Sequence, residues 1–254
     1  MALCDRLEAQ QQERDTRHAA LANASLARFA DAPTPANLNL LFHLSYAIAP
    51  ADLRKTILTL AVQGKLAPAS ETKHVVLGEV IELISGQHLL AHEHNKEGKG
   101  IPYLTGPSDF GARHPNPTRW TETPKVAAEP GDILITVKGA GVGKTNKLVA
   151  ERTAISRQLM AVRVVRADPD FIRLVLMDSA DHFQSSMTGI AIPGIGRKDV
   201  LELKVELPPL AEQRKIVAKV DQLMALVDQL EAQLTASRTA SINLMEAVAA
   251  ELTV

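Results

Sequence analysis

The chain has 254 residues, 3% of them aromatic and 22% charged, with one cysteine and a formal net charge of −1. At this length so few aromatic side chains fit a modest globular domain joined to helical segments better than one large core. The single cysteine, Cys4, excludes an internal disulfide framework, the lack of any run of about 18 apolar residues argues against membrane insertion, and near-neutral charge means that an anionic partner must be met by local clusters of bases.

Residues 1–17 mix acids and bases without the apolar core of an export signal, so a cytoplasmic location is expected. Met1 to Gln10 reads MALCDRLEAQ and recurs at Met224 to Gln233 as MALVDQLEAQ, identical at eight of ten positions. Both copies are rich in helix formers, and Cys4 falls at an apolar helical position, where it reads as a small buried side chain. Met1 aligns with Met224, so the chain is expected to start in the middle of an element whose sister is complete. Asp31 to Ala36 (DAPTPA) is a proline-bearing break. Pro50 to Gly64 opens at a proline and closes at a glycine, with Leu53, Ile57, Leu60 and Ala61 on one helical stripe.

From Lys65 to Leu207 the apolar runs shorten and turn residues intervene. Strands are predicted at Val80 to Ile84, Ile101 to Leu104, Asp132 to Val137, Leu159 to Val165 and Leu203 to Leu207, with a helix over Asp170 to Asp181. Pro208 and Pro209 then precede a helix predicted from about Leu210 to Leu252, on the order of 60 Å long at 1.5 Å per residue. Ile216, Val220, Leu223, Val227, Leu230 and Leu234 recur at steps of four and three, a coiled-coil seam that continues more weakly through Ser241, Leu244 and Val248. The seam requires a partner helix, and on periodicity alone a dimerisation zipper or a plain bundle helix explains it as well as a helix with a specialised role. The fold class expected is α+β: helical region 1–64, mixed α/β domain 65–207 and long helix 208–254.

The segment GDILITVKGAGVGKTNK suggests a nucleotide-binding loop ending in Gly143, Lys144 and Thr145, but the spacing fails. The first glycine of G-x-x-x-x-G-K-[ST] would stand at 138, which is Lys138, and Asn146 to Val149 do not open a periodic helix. The composition still matters, because Lys138, Lys144, Lys147, Arg152, Arg157, Arg163 and Arg166 face only Glu151 across 29 residues. Gly139, Gly141 and Gly143 let backbone amides approach phosphate oxygens, Lys138, Lys144 and Lys147 would neutralise them, and Thr145 can donate a hydroxyl. Arg157 and Gln158 can pair bidentately with guanine and adenine edges. A second loop, SMTGIAIPGIGRKDV, places Gly189, Pro193, Gly194 and Gly196 ahead of Arg197 and Lys198 and has the shape of another backbone clamp. For any one of these bases a solvated strand edge or turn is an equal explanation.

His88, His92 and His94 lack the cysteine, carboxylate or later ligand pair of zinc motifs, so an exposed polar loop is expected and no metal. Ser156 lies beside Arg157 without a hydrolase glycine elbow, and Asp109 and Asp132 have no mechanism-specific spacing. No catalytic residue and no cofactor is expected.

The segments LRKTILTLAVQGKL, LGEVIELISGQ, IPYLTGPSD, GDILITVKGAGVGKT, GIAIPGIGRKDV and PPLAEQRKIVAKVDQL resemble those of the specificity subunits of type I restriction-modification enzymes, and they spread over the whole chain. The resemblance implies one target recognition domain at 65–207, flanking helices that pair antiparallel as a spacer, double-stranded DNA as ligand, and modification and restriction subunits that carry the methyl transfer and the cleavage. Only the C-terminal half of such a subunit is matched, which implies a homodimer or pairing with another half-subunit. The competing expectation is a coiled-coil interaction protein whose middle domain binds a protein or small ligand.

Overall fold

A computed structural model describes residues 2–32, 34, 36–37, 49–66, 71–112, 114–189 and 192–252, with only part of the side chains in the first helix and in the last turns of the final one. The chain divides into two compact units, one made of Met1–Ala61 with Ala218–Val254 and the other of Val62–Val217.

The first unit is helical. Helix α1 spans Ala2–Asp31 and stops at the proline-bearing break, and helix α2 spans Pro50–Val62 with Leu53, Ile57, Leu60 and Ala61 all buried. Those four positions form one stripe because steps of three and four residues return to the same side of a 3.6-residue turn. The final helix, α6 (Leu210–Leu252), brings Val220, Leu223, Val227 and Leu230 into the same unit as buried residues, and Leu234 is half-buried. Arg54 of α2 reaches Asp228 at 2.7 Å and Glu231 at 2.6 Å. Farther along α6 the seam fades: Ser241 is exposed, as are Ile242 and Met245, while the side chains of Leu244 and Val248 lie outside the described set. Among the described residues no helix is long and apolar enough to cross a membrane.

The second unit is entered through β1 (Lys73–Val76) and left through β10 (Lys204–Leu207), which pair antiparallel from Lys73 opposite Leu207 to Val76 opposite Lys204. This ribbon holds the two ends of the unit side by side. Within it run β2 (Ile81–Ser85), β3 (Ile101–Leu104), β4 (Trp120–Thr121), β5 (Ala127–Ala128), β6 (Ile133–Thr136), β7 (Thr145–Lys147), β8 (Thr153–Ile155) and β9 (Leu159–Val164). One sheet has the order β2-β9-β6-β7 and is antiparallel throughout; the other, β4-β3-β8-β5, contains the parallel pair β3–β8. Leu104 and Ile155 from one sheet share a buried cluster with Leu134, Leu159 and Ala161 from the other. Helices α3 (Pro169–Asp178), α4 (Ala180–Ser185) and α5 (Arg197–Leu201) complete the unit.

Helix α3 begins after Asp168, whose side chain accepts from the amides of Asp170 and Phe171, and buries Phe171, Ile172, Val175 and Leu176. The Asp168 amide in turn donates to Gln213 Oε1 at 2.7 Å, while Gln213 Nε2 donates to the Pro208 carbonyl. A glutamine that is 2% exposed thus satisfies both of its polar ends, as burial requires. Mixed sheets, short helices and a 43-residue final helix make the α+β architecture expected from the sequence. The five predicted strands are present within a residue or two. The helix predicted over Asp170 to Asp181 is α3, broken at Ser179 before α4 begins, and the short strands β1, β4, β5, β7 and β8 and the helix α5 are too short to show a period.

Candidate nucleic-acid interface

The two glycine-bearing segments singled out in the sequence meet in space. Strand β6 is buried along its whole length, and the chain then turns through 137–144 before returning as β7. The far side of that turn is held by the second segment. Val137 accepts from the Ile195 amide at 2.9 Å, the Gly139 amide donates to Pro193 at 2.8 Å, and Lys138 bridges Gly194. A Cβ at Gly194 would stand 2.5 Å from the Val137 carbonyl oxygen, so only glycine allows this approach. Gly143 has φ +85°, the left-handed region, and closes the turn by donating to Thr136 at 3.0 Å.

A third segment joins them. The turn between β8 and β9 carries Arg157 and Gln158, and the Gln158 carbonyl accepts from the Val137 amide at 2.8 Å. Ser156 fixes that turn, its Oγ donating to the Thr105 carbonyl and accepting from the Gln158 amide at 3.2 Å. Loop 137–144, turn 156–158 and segment 193–196 therefore form one edge of the unit. Lys138, Lys144, Arg157 and Gln158 are exposed there, and none of these three cations makes an ion pair among the described residues.

The other predicted bases divide differently. Lys147 donates to both oxygens of Asp170, at 2.7 and 2.9 Å. Arg163 grips the 2%-exposed Asp132 through Nε and an Nη, at 3.0 and 2.8 Å, and these hydrogen bonds hold its proton more tightly than usual. Arg152 pairs with Glu129 at 3.2 Å. The seven-base stretch is thus no uniform basic face, because acids distant in sequence neutralise three of its members. Arg197 donates to the Leu83 carbonyl at 2.7 Å and to Ser85 Oγ at 3.0 Å, bracing α5 against the end of β2, and Lys198 lies 3.7 Å from Glu202. Gly141 is buried and Thr145 half-buried, whereas Gly189 is exposed and Gly196 precedes α5. After Thr145 the chain continues as strand β7, so the helix that a nucleotide-binding loop needs at this place is replaced by a strand.

Beside turn 156–158 lies a polar cleft of about 180 Å³ lined by His88, His94, Tyr103, Arg119, Ser156 and Arg157, among others. Arg119 was not singled out from the sequence, and its only local signal is the absence of an acid between Asp109 and Glu122. The ring of His94 stacks on Tyr103 with centroids 5.6 Å apart, and burial first, then the cations Arg119 and His88, push its pKa down.

Residues 69–237 match the family model described as the type I restriction modification DNA specificity domain. A putative type I restriction enzyme MjaX specificity subunit from Methanocaldococcus jannaschii is 30% identical over 169 residues, 65% of this chain and 39% of its own length. The type I restriction enzyme EcoKI specificity subunit of Escherichia coli strain K12 is 28% identical over 226 residues, 78% of this chain and 47% of its own. The crystal structure of the HsdS subunit from Thermoanaerobacter tengcongensis is similar at a TM-score of 0.62 and 31% identity, over 87% of this chain and 53% of that one. The chain therefore spans about half the length of these relatives or less.

Proposed function

The chain belongs to the type I restriction modification DNA specificity family, and from that premise we propose that its globular unit is a target recognition domain that reads duplex DNA for catalytic partners. The observation that carries this reading is the edge on which loop 137–144, turn 156–158 and segment 193–196 converge. Its glycine-rich turns spend their amides on holding the three segments together, and it exposes Lys138, Lys144 and Arg157, none of which makes an ion pair among the described residues. Lys138 and Lys144 contact phosphates and position the duplex, while Arg157 and Gln158 have the donor and acceptor geometry to read base edges. Lys147 and Arg197, already held by protein groups, contribute by shaping loops.

The chain supplies no chemistry of its own in this reading. Methyl transfer belongs to modification subunits and cleavage to restriction subunits, which the complex carries in the cytoplasm. In this reading the chain pairs with a second copy or with another half-subunit to present two recognition domains. The internal repeat supports this arrangement. In α6 the copy at 224–233 receives Arg54 through Asp228 and Glu231, and the copy at 1–10 carries Asp5 and Glu8 at the same places in the sequence. Helices of fixed length set the distance between the two readers, and a rise of 1.5 Å per residue makes four residues worth about 6 Å.

Fluorescence anisotropy with random duplex DNA tests the core of the proposal. Binding that weakens steeply as salt rises supports it, and no binding at low salt overturns it. Methylation mapping of the host genome with and without the gene then identifies the target, and light scattering separates paired from single chains.

A further inference from the structure

We propose that the cleft between residues 88–94 and turn 156–158 is an anion pocket that seats one DNA backbone phosphate, with Arg119 as its anchor. This rests on the reading of the unit as a DNA reader and adds a contact that the glycine-rich loops do not supply.

The pocket is concave, small and cationic. Its walls carry two guanidinium groups, Arg119 and Arg157, and two imidazoles, His88 and His94, and among the described residues no carboxylate lines it. The acids nearest in the chain are committed elsewhere. Glu93 accepts from Lys125 at 2.7 Å and from the Leu90 amide, and Asp109 accepts from the Thr105 amide and hydroxyl at 2.6 and 2.8 Å. Among the described residues neither Arg119 nor Arg157 makes an ion pair. Two guanidinium groups offer ten N–H donors in planar forks, a geometry that matches phosphate oxygens.

The polar groups of the pocket floor are hydrogen-bonded within the unit. Tyr103 accepts at its hydroxyl from the Leu89 amide at 3.2 Å and stacks on His94, Ser156 is bonded to Thr105 and Gln158, and the Tyr103 amide donates to the Arg119 carbonyl at 2.7 Å. The last bond sits beside the pairing of Pro102 with Trp120, so the backbone carrying Arg119 is fixed by the sheet. With the floor bonded within the unit, the charged donors of the cleft are on its walls, Arg119 and Arg157. The proton affinity of His94 is lowered first by burial and then by Arg119 and His88, and a bound anion would offset the part that those two groups contribute.

The pocket opens beside Arg157 and Gln158, which share the turn that Val137 secures. A phosphate seated on Arg119 would hold the backbone next to the two side chains suited to base edges. A phosphate anchored on Arg119 would position the backbone without sequence preference, leaving Gln158 and the remaining donors of Arg157 to read base edges.

The test uses the full chain in two arms. In the first, random and target-enriched duplexes are titrated against salt for the wild type, Arg119→Gln and Arg119→Lys. The expected result for Arg119→Gln is a uniform loss of affinity across sequences and a salt slope shallower by about 0.9, one phosphate's worth, with the slope restored in Arg119→Lys. An unchanged slope in folded Arg119→Gln overturns the pocket while leaving DNA reading intact. In the second arm, inorganic phosphate is titrated while the imidazole resonances of His88 and His94 are followed by NMR. A saturable shift that Arg119→Gln and Arg157→Gln reduce is expected. If the wild type fails to bind any duplex, the reading of the unit fails, and this arm alone decides the pocket: a saturable shift assigns it to free phosphate compounds, and no shift removes it.

Discussion

The amide of Val137 donates to the carbonyl of Gln158 at 2.8 Å, tying the glycine-rich turn after β6 to the turn that carries Arg157. Because this bond lies beyond the last paired residue of β6, it extends the sheet order into the loops. The exposed lysines of loop 137–144 therefore project from a fixed frame. Replacing Lys138 and Lys144 together by glutamine should remove up to two phosphate contacts, making the salt slope of duplex binding shallower by about 0.9 for each. Both side chains are exposed and, among the described residues, in no ion pair, so stability should change by less than about 0.5 kcal/mol. Anisotropy across a salt series and a urea melt read the two effects separately; a large loss of stability with an intact slope would reverse the assignment.

Gly194 tests the frame itself. The atom that a Cβ would meet at 2.5 Å is the Val137 carbonyl oxygen, which belongs to the backbone and cannot swing aside. Gly194→Ala should therefore push segment 193–196 away from loop 137–144 and cost about 1–3 kcal/mol, as over-packing does in closely packed interiors. Duplex affinity should fall with it although no charge is lost. The check is a urea midpoint for stability beside anisotropy under conditions where the variant remains folded.

Periodicity made the helical seams legible. Leu53, Ile57, Leu60 and Ala61 on α2, and Ile216 through Leu230 on α6, are buried where steps of three and four residues place them. Charge pairing was not legible, because it depends on contacts between segments far apart in sequence. Lys147, Arg152 and Arg163 look free in a stretch holding only Glu151, yet Asp170, Glu129 and Asp132 neutralise them from 23, 23 and 31 residues away. The two glycine-rich segments could be recognised singly, but not their meeting at Lys138 and Gly194, which are 56 residues apart. Arg119 escaped for the same reason: its neighbours in the cleft come from β3, from the turn before β9 and from the histidine loop.

Asp132 shows how such a long-range pair supports the site. Its carboxylate accepts two bonds from Arg163 and one from the Glu129 amide at 2.8 Å, immediately before β6 begins. Asp132→Asn keeps the shape but loses the charge and one acceptor oxygen, leaving the guanidinium partly unmet. Since charge-assisted hydrogen bonds contribute about 1.5–3 kcal/mol each and Arg163 is partly solvated, a destabilisation near the lower end, about 1.5–2 kcal/mol, is expected. Thermal melting of the variant measures this, and Arg163→Lys, which cannot form the fork, should lose part of the same amount.

His94 gives the fold a pH dependence of defined sign. Burial, Arg119 and His88 depress its pKa, so between the folded value and the unfolded value of about 6.5 the unfolded chain binds more protons than the native one. The stability from a neutral His94 is complete above about pH 6.5 and is lost as pH falls through that window to the folded pKa. His94→Gln should flatten this part of the stability profile. Urea midpoints over pH 4.5–7.5, a window of about three units around the unfolded pKa, compare the two proteins, and a wild type that gains stability on acidification through this range would contradict the shift.

The helical unit sets an apolar stripe against an ionic fork, and magnitudes decide which dominates. Arg54 meets Asp228 and Glu231 at good distances, but its side chain is 33% exposed and the carboxylates are 67% and 53% exposed, so solvent screens the pairs. Exposed pairs are worth about 0.2–1 kcal/mol each, whereas truncating a buried isoleucine to alanine costs about 2–5 kcal/mol. Ile57→Ala should thus destabilise the unit several times more than Arg54→Ala. The fork should instead govern which helix face is chosen. Arg54→Glu places a third acid beside Asp228 and Glu231, and adding Asp228→Arg with Glu231→Arg should restore most of what it loses. A double-mutant cycle on urea midpoints measures that coupling, and strictly additive losses would mean that the ion pairs contribute nothing to how α2 and α6 meet.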